Sequence, residues 1–285
     1  MIPNVLSIAG SDPSGGAGIQ ADLKTFAAHG AYGCAVLTAL TAQNTKGVDG
    51  VHPVPPAFVA AQIDCLFADL RIDAVKIGML GSSETIDVVA AAIRRHRPPI
   101  VVLDPVMVAK SGDRLLSEDA VGGLRRTLLP MSTVLTPNLD EAGVLLDRAQ
   151  TIKQGDMKEI AKALHRLGPR WIYLKGGHLP GTKCPDLAFD GTVVTTLPGR
   201  RIQTRNTHGT GCTLSAAIAA RLARGEKPLA AFRSAKAYVG EAIARAGELS
   251  VGMGHGPLHH FHALWSRSET RRLSPGRRSI NLGGK

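Results

Sequence analysis

The sequence predicts an α/β fold in which a mostly parallel central sheet is covered by helices on both faces. Three observations predict it. Short β-rich runs alternate with amphipathic stretches of helical length. The runs are apolar at consecutive positions, as strands buried on both faces require. Several of them end in a Gly, Asp or Pro cluster, which places the special residues along the carboxyl edge of the sheet, where open parallel sheets bind ligands.

The first run, Val5-Leu6-Ser7-Ile8-Ala9, passes through Gly10-Ser11-Asp12-Pro13 into a helix over about 17–29. Cys34–Thr38 is the next strand, followed by a helix over 56–69. Ala74–Ile77 ends on Gly78-Met79 and precedes a helix over 83–96. Ile100–Leu103 closes on Asp104-Pro105, with a helix over 117–128. Thr133–Leu135 ends in Thr136-Pro137-Asn138, and Trp171–Leu174 follows a helix over 154–167. Past residue 183 the pattern becomes a hairpin, Leu187–Phe189 and Val193–Thr195 around Asp190-Gly191. One more short run, Arg201–Thr204, leads to a helix over Leu214–Leu222. With no repeat and no linker, the reading is one domain over 1–265 and a basic, disordered tail over 266–285.

Composition narrows the function classes. Hydrophobic residues at 44% and charged residues at 20% exclude global disorder. No apolar run approaches the ~18 residues needed to cross a bilayer. Met1-Ile2-Pro3-Asn4 lacks the basic start of a secretory signal, so the expected compartment is the cytoplasm. Four scattered cysteines with no CxxC pair are read as reduced thiols. Of the net charge of +11, the tail carries +5 through Arg267, Arg271, Arg272, Arg277, Arg278 and Lys285 against Glu269. No aromatic residue interleaves these arginines to stack on bases, so a nucleic-acid partner is not expected.

The segment Thr207-His208-Gly209-Thr210-Gly211-Cys212-Thr213 opens a helix. Its glycines let the backbone approach a ligand, and the free N–H groups of the first turn suit a phosphate. A cysteine there, Cys212, is expected to have a lowered pKa. Lys175, at a strand end before Gly176-Gly177-His178, is placed to meet a phosphate. Asn138 and Glu141, three apart at a helix start, are placed to hold a hydrated Mg²⁺ in company with Asp104. A helix cap with an acidic first turn accounts for them locally as well.

The stretch Gly10–Gly18 is neither a Walker A loop nor GxGxxG. Its small residues admit a compact substrate, with Asp12 or Asp22 available for hydrogen bonds. Gln43 offers amide recognition and Met79 an apolar wall, a slot that suits a flat heteroaromatic ligand. His259, His260 and His262 lack the i, i+4 spacing of helical metal ligands. They are read as solvated histidines at a helix start.

Taken as a set, Ala9–Asp12, Ser14–Gly18, Thr41–Thr45, Lys76–Met79, Asp104–Met107, Thr136–Glu141, Lys175–His178 and His208–Cys212 resemble the hydroxymethylpyrimidine/phosphomethylpyrimidine kinases of thiamine biosynthesis, in the ribokinase superfamily. The likeness runs over residues 4–265 in order. It implies a ribokinase-like three-layer α/β/α fold, ATP with Mg²⁺ as donor, and a hydroxymethyl aminopyrimidine, then its monophosphate, as acceptor. By position, Gln43 would read the aminopyrimidine edge, with Gly10, Met79 and Val106 lining the pocket. Lys175, with Gly209, Thr210 and Gly211 of the helix start, would stabilise the ATP phosphates. Asp104, Asn138 and Glu141 would serve the metal region, Asn138 also on the nucleotide side. Cys212 stands where sugar kinases of the superfamily carry an aspartate base. His208 would support the substrate phosphate in the second step, or else bond only to backbone. The resemblance also implies a homodimer, and the charged loop Ala109–Arg114 is the candidate lid. The alternatives are a pyridoxal or pyridoxine kinase, a thiazole-alcohol kinase, whose motifs match only near the Gly-Thr-Gly-Cys loop, and, from another class, a nucleic-acid binder using the 266–285 arm. Gln43 and Met79 favour the aminopyrimidine.

Overall fold

A computed structural model describes residues 1–107, 116, 118–148 and 150–265. The expected lid 109–114 and tail 266–285 lie outside the described residues.

The chain runs β1 (Asn4–Ala9), α1 (Gly18–Ala28), β2 (Tyr32–Leu37), β3 (Ala39–Gln43), β4 (Val48–Pro53), α2 (Pro56–Asp69), β5 (Ala74–Ile77), α3 (Ser83–His96) and β6 (Val101–Leu103). It continues through α4 (Glu118–Thr127), β7 (Val134–Leu135), α5 (Leu139–Leu145), α6 (Met157–His165), β8 (Trp171–Leu174), β9 (Asp186–Phe189), β10 (Val194–Leu197), α7 (Thr210–Ala223) and α8 (Pro228–Ala244). Among the described residues the main sheet has the order β10-β9-β8-β7-β6-β5-β1-β2. From β2 to β8 it is parallel, and β9 and β10 complete it antiparallel.

Successive residues of each central strand point to opposite faces, and both faces are covered. Leu6, Ile8, Val75, Ile77 and Leu103 pack with Ile63 of α2, Ile86 of α3, Leu124 of α4 and Ile160 of α6. Val5, Ala74, Val102 and Tyr173 pack with Phe26 of α1, Ile218 of α7 and Phe232 of α8. The result is the three-layer α/β/α arrangement. Helix α7 is buried from Thr213 to Ala220, and its alanines allow close approach to the sheet. That approach brings its N-terminus down onto the carboxyl ends of β1, β5 and β6.

The predicted strands and the hairpin at 190–191 are present, with Val194 opposite Phe189. Arg201–Thr204 is not a strand: only Arg200 makes an isolated bridge, to Lys183. Gln43 ends β3, which pairs with β4 in a separate two-stranded sheet. Helix α7 begins four residues earlier than its apolar run because Gly209, at φ 78°, serves as its N-cap. His259, His260 and His262 do not start a helix and are not solvated. His259 just precedes a turn and His260 and His262 lie in it, at 1%, 4% and 9% exposure, packed around Tyr238 and Trp265.

Candidate active site

Along the carboxyl edge of the sheet lies a cavity of about 1360 Å³. A site for one small molecule holds roughly 300–1,000 Å³, so this one has room for an acceptor and a nucleotide together.

At one end Asp12 is buried and accepts four hydrogen bonds. Ser14 gives two of them, from its backbone N at 2.9 Å and its Oγ at 2.7 Å. The Ala17 N–H lies at 2.8 Å and His208 Nε2 at 2.7 Å. Burial pushes the Asp12 carboxyl up, but the bonds from His208 and Ser14 outweigh it and hold the group at about 2. The Gln43 amide is 3.5 Å from His208 Nε2. Met79 closes the wall: a Cβ at Gly10 would come within 2.5 Å of its Cε. Val106 lines the same cavity. His208 is more than a loop histidine bonded to backbone, since its ring faces Asp12 while its own N–H donates to Gly256 O at 3.1 Å.

At the other end Lys175 Nζ donates to Asp104 Oδ1 at 2.9 Å and stands 3.6 Å from Glu141 Oε2. Thr136 and Ser215 hydroxyls donate to Asp104 at 3.1 and 3.2 Å. Burial pushes Asp104 up, but Lys175 and Lys76 outweigh it and hold it below the usual range. Glu141 is pushed up to about 7, chiefly by burial and further by Asp104, against the pull of Lys175. Asn138 Oδ1 accepts from the Glu141 N–H at 2.9 Å, and Glu141 Oε2 accepts from the Asn138 N–H at 2.7 Å. This reciprocal capping box engages Asn138 Oδ1 and Glu141 Oε2 alike at the start of α5, and both residues line the cavity. Among the described residues no three His, Cys, Asp or Glu side chains are grouped to hold a metal by themselves.

Gly209, Thr210, Gly211 and Cys212 span the middle of the cavity wall. A Cβ on Gly209 would fall 1.8 Å from Gly16 O, and one on Gly211 would fall 3.3 Å from Lys175 Nζ. Glycine is what lets this turn lie against both. Two expectations fail here. Cys212 is not a low-pKa thiol: burial pushes it up to about 11, reinforced by Asp22 and Asp104 and opposed by Lys76. Asp22 does not reach the cavity, because it lies on the inward face of α1 at 0% exposure. There it accepts from Ser7 Oγ at 2.6 Å and from Lys76 Nζ at 2.8 Å.

Lys76 is the residue that sequence reasoning passed over. It is fully buried yet lines the cavity, and the signal was a charge inside the apolar run Ala74–Ile77. The outer end of the cavity, with Arg200, Ile202, Arg233, Lys236 and Ile243, was also unread. Asp186 organises part of it: Tyr173 Oη and the Gly176 N–H donate to it at 2.7 and 2.8 Å, and Lys236 pairs with it.

A family model described as phosphomethylpyrimidine kinase matches residues 12–259. The hydroxymethylpyrimidine/phosphomethylpyrimidine kinase of Rhizobium meliloti is 54% identical over 260 residues, 91% of this chain and 97% of that protein. Its Escherichia coli namesake is 51% identical over 262 residues, 92% and 98% of the two chains. Among solved structures, the ADP complex of Bacillus subtilis pyridoxal kinase superposes with a TM-score of 0.84 at 36% identity, covering 92% and 99%. A phosphomethylpyrimidine kinase from Clostridium difficile superposes at 0.75 with 40% identity, covering 85% and 99%.

Proposed function

The chain belongs to the phosphomethylpyrimidine kinase family, and from that premise we infer that it phosphorylates 4-amino-5-hydroxymethyl-2-methylpyrimidine and then the monophosphate, with ATP as donor, in thiamine biosynthesis. The observation that carries the reading is one continuous cavity. It joins the Asp12–His208–Gln43 end to the Lys175–Asp104–Glu141 end across the first turn of α7.

The residues divide the work. Gln43, Gly10, Met79 and Val106 hold the flat ring, and Asp12 with His208 fixes the loop beneath it. In the first round the acceptor oxygen forms a bond to the γ-phosphorus while the bond to the β,γ-bridging oxygen breaks and ADP leaves. Cys212, acting as the thiolate, takes the hydroxyl proton on Sγ and becomes the thiol. Lys175 and the N–H groups of Gly211 and Cys212 in the first turn of α7 face the charge on the transferred group, where preorganised donors contribute most. Two neighbouring carboxylates with one lysine between them form an oxygen donor set that suits Mg²⁺. Asp104 and Glu141 would hold the ion, which neutralises charge on the phosphates when bound.

A pyridoxal kinase is the second reading, favoured by the 0.84 backbone overlap. Side chains choose the acceptor, and identity of 54% and 51% to pyrimidine kinases outweighs 36% to the pyridoxal enzyme. ADP release with Mg-ATP, comparing the pyrimidine alcohol, its monophosphate and pyridoxal, tests the reading. Turnover on the first two above pyridoxal is expected, and turnover on pyridoxal alone overturns it.

The activity is assigned to residues 1–265, supported by the family match ending at 259, and removal of 266–285 should leave turnover unchanged. Nucleic acid is not assigned as a partner. A homodimer is assigned from the exposed apolar side chains Leu40 and Val51 of β3–β4 and Phe58 of α2, at 46%, 50% and 61% exposure. Sedimentation of wild type against Phe58→Glu tests it. No helix among the described residues is long and apolar enough to cross a membrane. The cytoplasm is assigned on the four free cysteines.

A further inference from the structure

The β8–β9 ladder closes on the pair Leu174–Leu187, and Lys175 and Gly176 lie just beyond it. Their backbone N–H groups need other partners there. The Lys175 N–H donates to Pro137 O at 2.8 Å, in an isolated bridge beside β7. The Gly176 N–H donates to a side chain, Asp186 Oδ1, at 2.8 Å.

We propose that Asp186 is a positioning residue for phosphoryl transfer, holding the Gly176 N–H so that the backbone presents Lys175 to the phosphates. The proposal rests on Lys175 as the residue that meets those phosphates.

Three observations carry it. First, the N–H groups on either side of the Lys175 Cα are both held, one by Pro137 O and one by Asp186 Oδ1. Together they orient the two peptide planes that meet at Lys175, and so the direction in which its side chain leaves the backbone. Its Nζ then reaches Asp104 Oδ1 at 2.9 Å and stands 3.6 Å from Glu141 Oε2. Second, Gly176 allows the approach. A Cβ there would stand 1.9 Å from Pro185 O, so a side chain at 176 would push this segment away from the start of β9. Pro185 immediately precedes Asp186, and the close packing brings the carboxylate within reach of the Gly176 N–H.

Third, Asp186 is itself fastened. It is buried, and its other oxygen, Oδ2, accepts from Tyr173 Oη at 2.7 Å and pairs with Lys236 of α8. Tyr173 is fully buried, and its ring meets that of Phe232 edge-on, with 5.3 Å between centroids. Core and helix therefore hold Oδ2, which leaves Oδ1 for Gly176.

A carboxylate that served only the fold would cost activity by the same factor whichever side chain stood at 175. One that acts through Lys175 costs little once that lysine is gone. The test is a double-mutant cycle in the full chain, Asp186→Ala against Lys175→Met. Single-turnover rates are read at saturating Mg-ATP with the pyrimidine alcohol and with its monophosphate.

With Lys175 in place, Asp186→Ala should lower the rate about 10- to 100-fold on both acceptors, with the steady-state KM for the pyrimidine little changed. In the Lys175→Met background the same substitution should cost less than about threefold. Equal losses in the two backgrounds, or no loss with Lys175 in place, overturn the proposal. If Asp186→Ala does not fold by circular dichroism, Asp186→Glu replaces it in the cycle. That variant keeps the charge beside Lys236 and displaces the carboxylate by one methylene. A loss that disappears with Lys175→Met supports the role, and an equal loss or none overturns it.

If the wild type turns over neither acceptor, the kinase reading fails, and calorimetric titration with Mg-ATP and with adenosine decides the role of Asp186 instead. The same Asp186 variant should then weaken Mg-ATP about tenfold and adenosine less than about threefold. Equal weakening of the two, or none, overturns the proposal.

Discussion

The Nε2 atom of His208 stands 2.7 Å from the carboxylate of Asp12, joining two loops that are 196 residues apart. Because Asp12 also takes the N–H groups of Ser14 and Ala17, the loop after β1 and the loop before α7 form one rigid unit. Truncation leaves several polar groups without a partner, and a hydrogen bond to a charged group is worth about 1.5–3 kcal/mol. Asp12→Ala should therefore lower kcat/KM for the aminopyrimidine about 10- to 100-fold, with the KM for ATP little changed. Steady-state kinetics varying each substrate checks the split.

Acid should weaken the fold in two windows. His29 and His260 are buried, and loss of water holds both at about 4. Between pH 6.5 and 4 the unfolded chain binds more protons than the folded one, so stability falls as pH falls through that range. Each histidine contributes about 3 kcal/mol at most. Asp12, held at about 2, adds a second loss as pH falls from about 4 to 2. Urea midpoints measured from pH 7 to 4 should drop steadily, and His29→Gln should flatten the curve.

The strand ends at Asp104, Asn138 and Lys175 were legible because a parallel sheet puts its carboxyl ends on one edge. What escaped was set by burial and by contacts far apart in sequence. Asp22 reads as a loop neighbour of Asp12, yet it lies on the inward face of α1 and serves Lys76. Cys212 has the sequence of an activated thiol, and only the packing shows that burial pushes its pKa up. His208 takes part of its support from Gly256, which no local pattern connects to it. The histidines at 259–262 look like a polar surface segment, but Tyr238 Oη donates to His260 O at 2.6 Å and helps hold them inside.

Gly209 should tolerate no side chain. Its φ of 78° is strained for an L residue, and a Cβ would stand 1.8 Å from Gly16 O, a backbone atom that cannot rotate away. Gly209→Ala should destabilise the protein by about 3 kcal/mol or more and lower kcat with it. Thermal unfolding alongside turnover measures both. A stable, active variant would mean that the turn before α7 can move without loss.

Replacement of Cys212 should separate the two phosphorylation steps. In the first, the acceptor is an alcohol, and its proton must leave as the new P–O bond forms. In the second, the acceptor is a phosphomonoester, whose second pKa is near 6. At pH 8 it is already a dianion, and its attacking oxygen has no proton to give up. A proton acceptor therefore helps the first step and has little to do in the second. Positioned acid–base groups contribute about 10²–10⁴-fold. Cys212→Ala should lose turnover on the alcohol by that order at pH 8, while turnover on the monophosphate falls less than tenfold. Single-turnover assays with each acceptor and Mg-ATP give the two rates. Equal losses would assign Cys212 to the shape of the pocket rather than to proton transfer, since a misplaced ring would slow both acceptors alike.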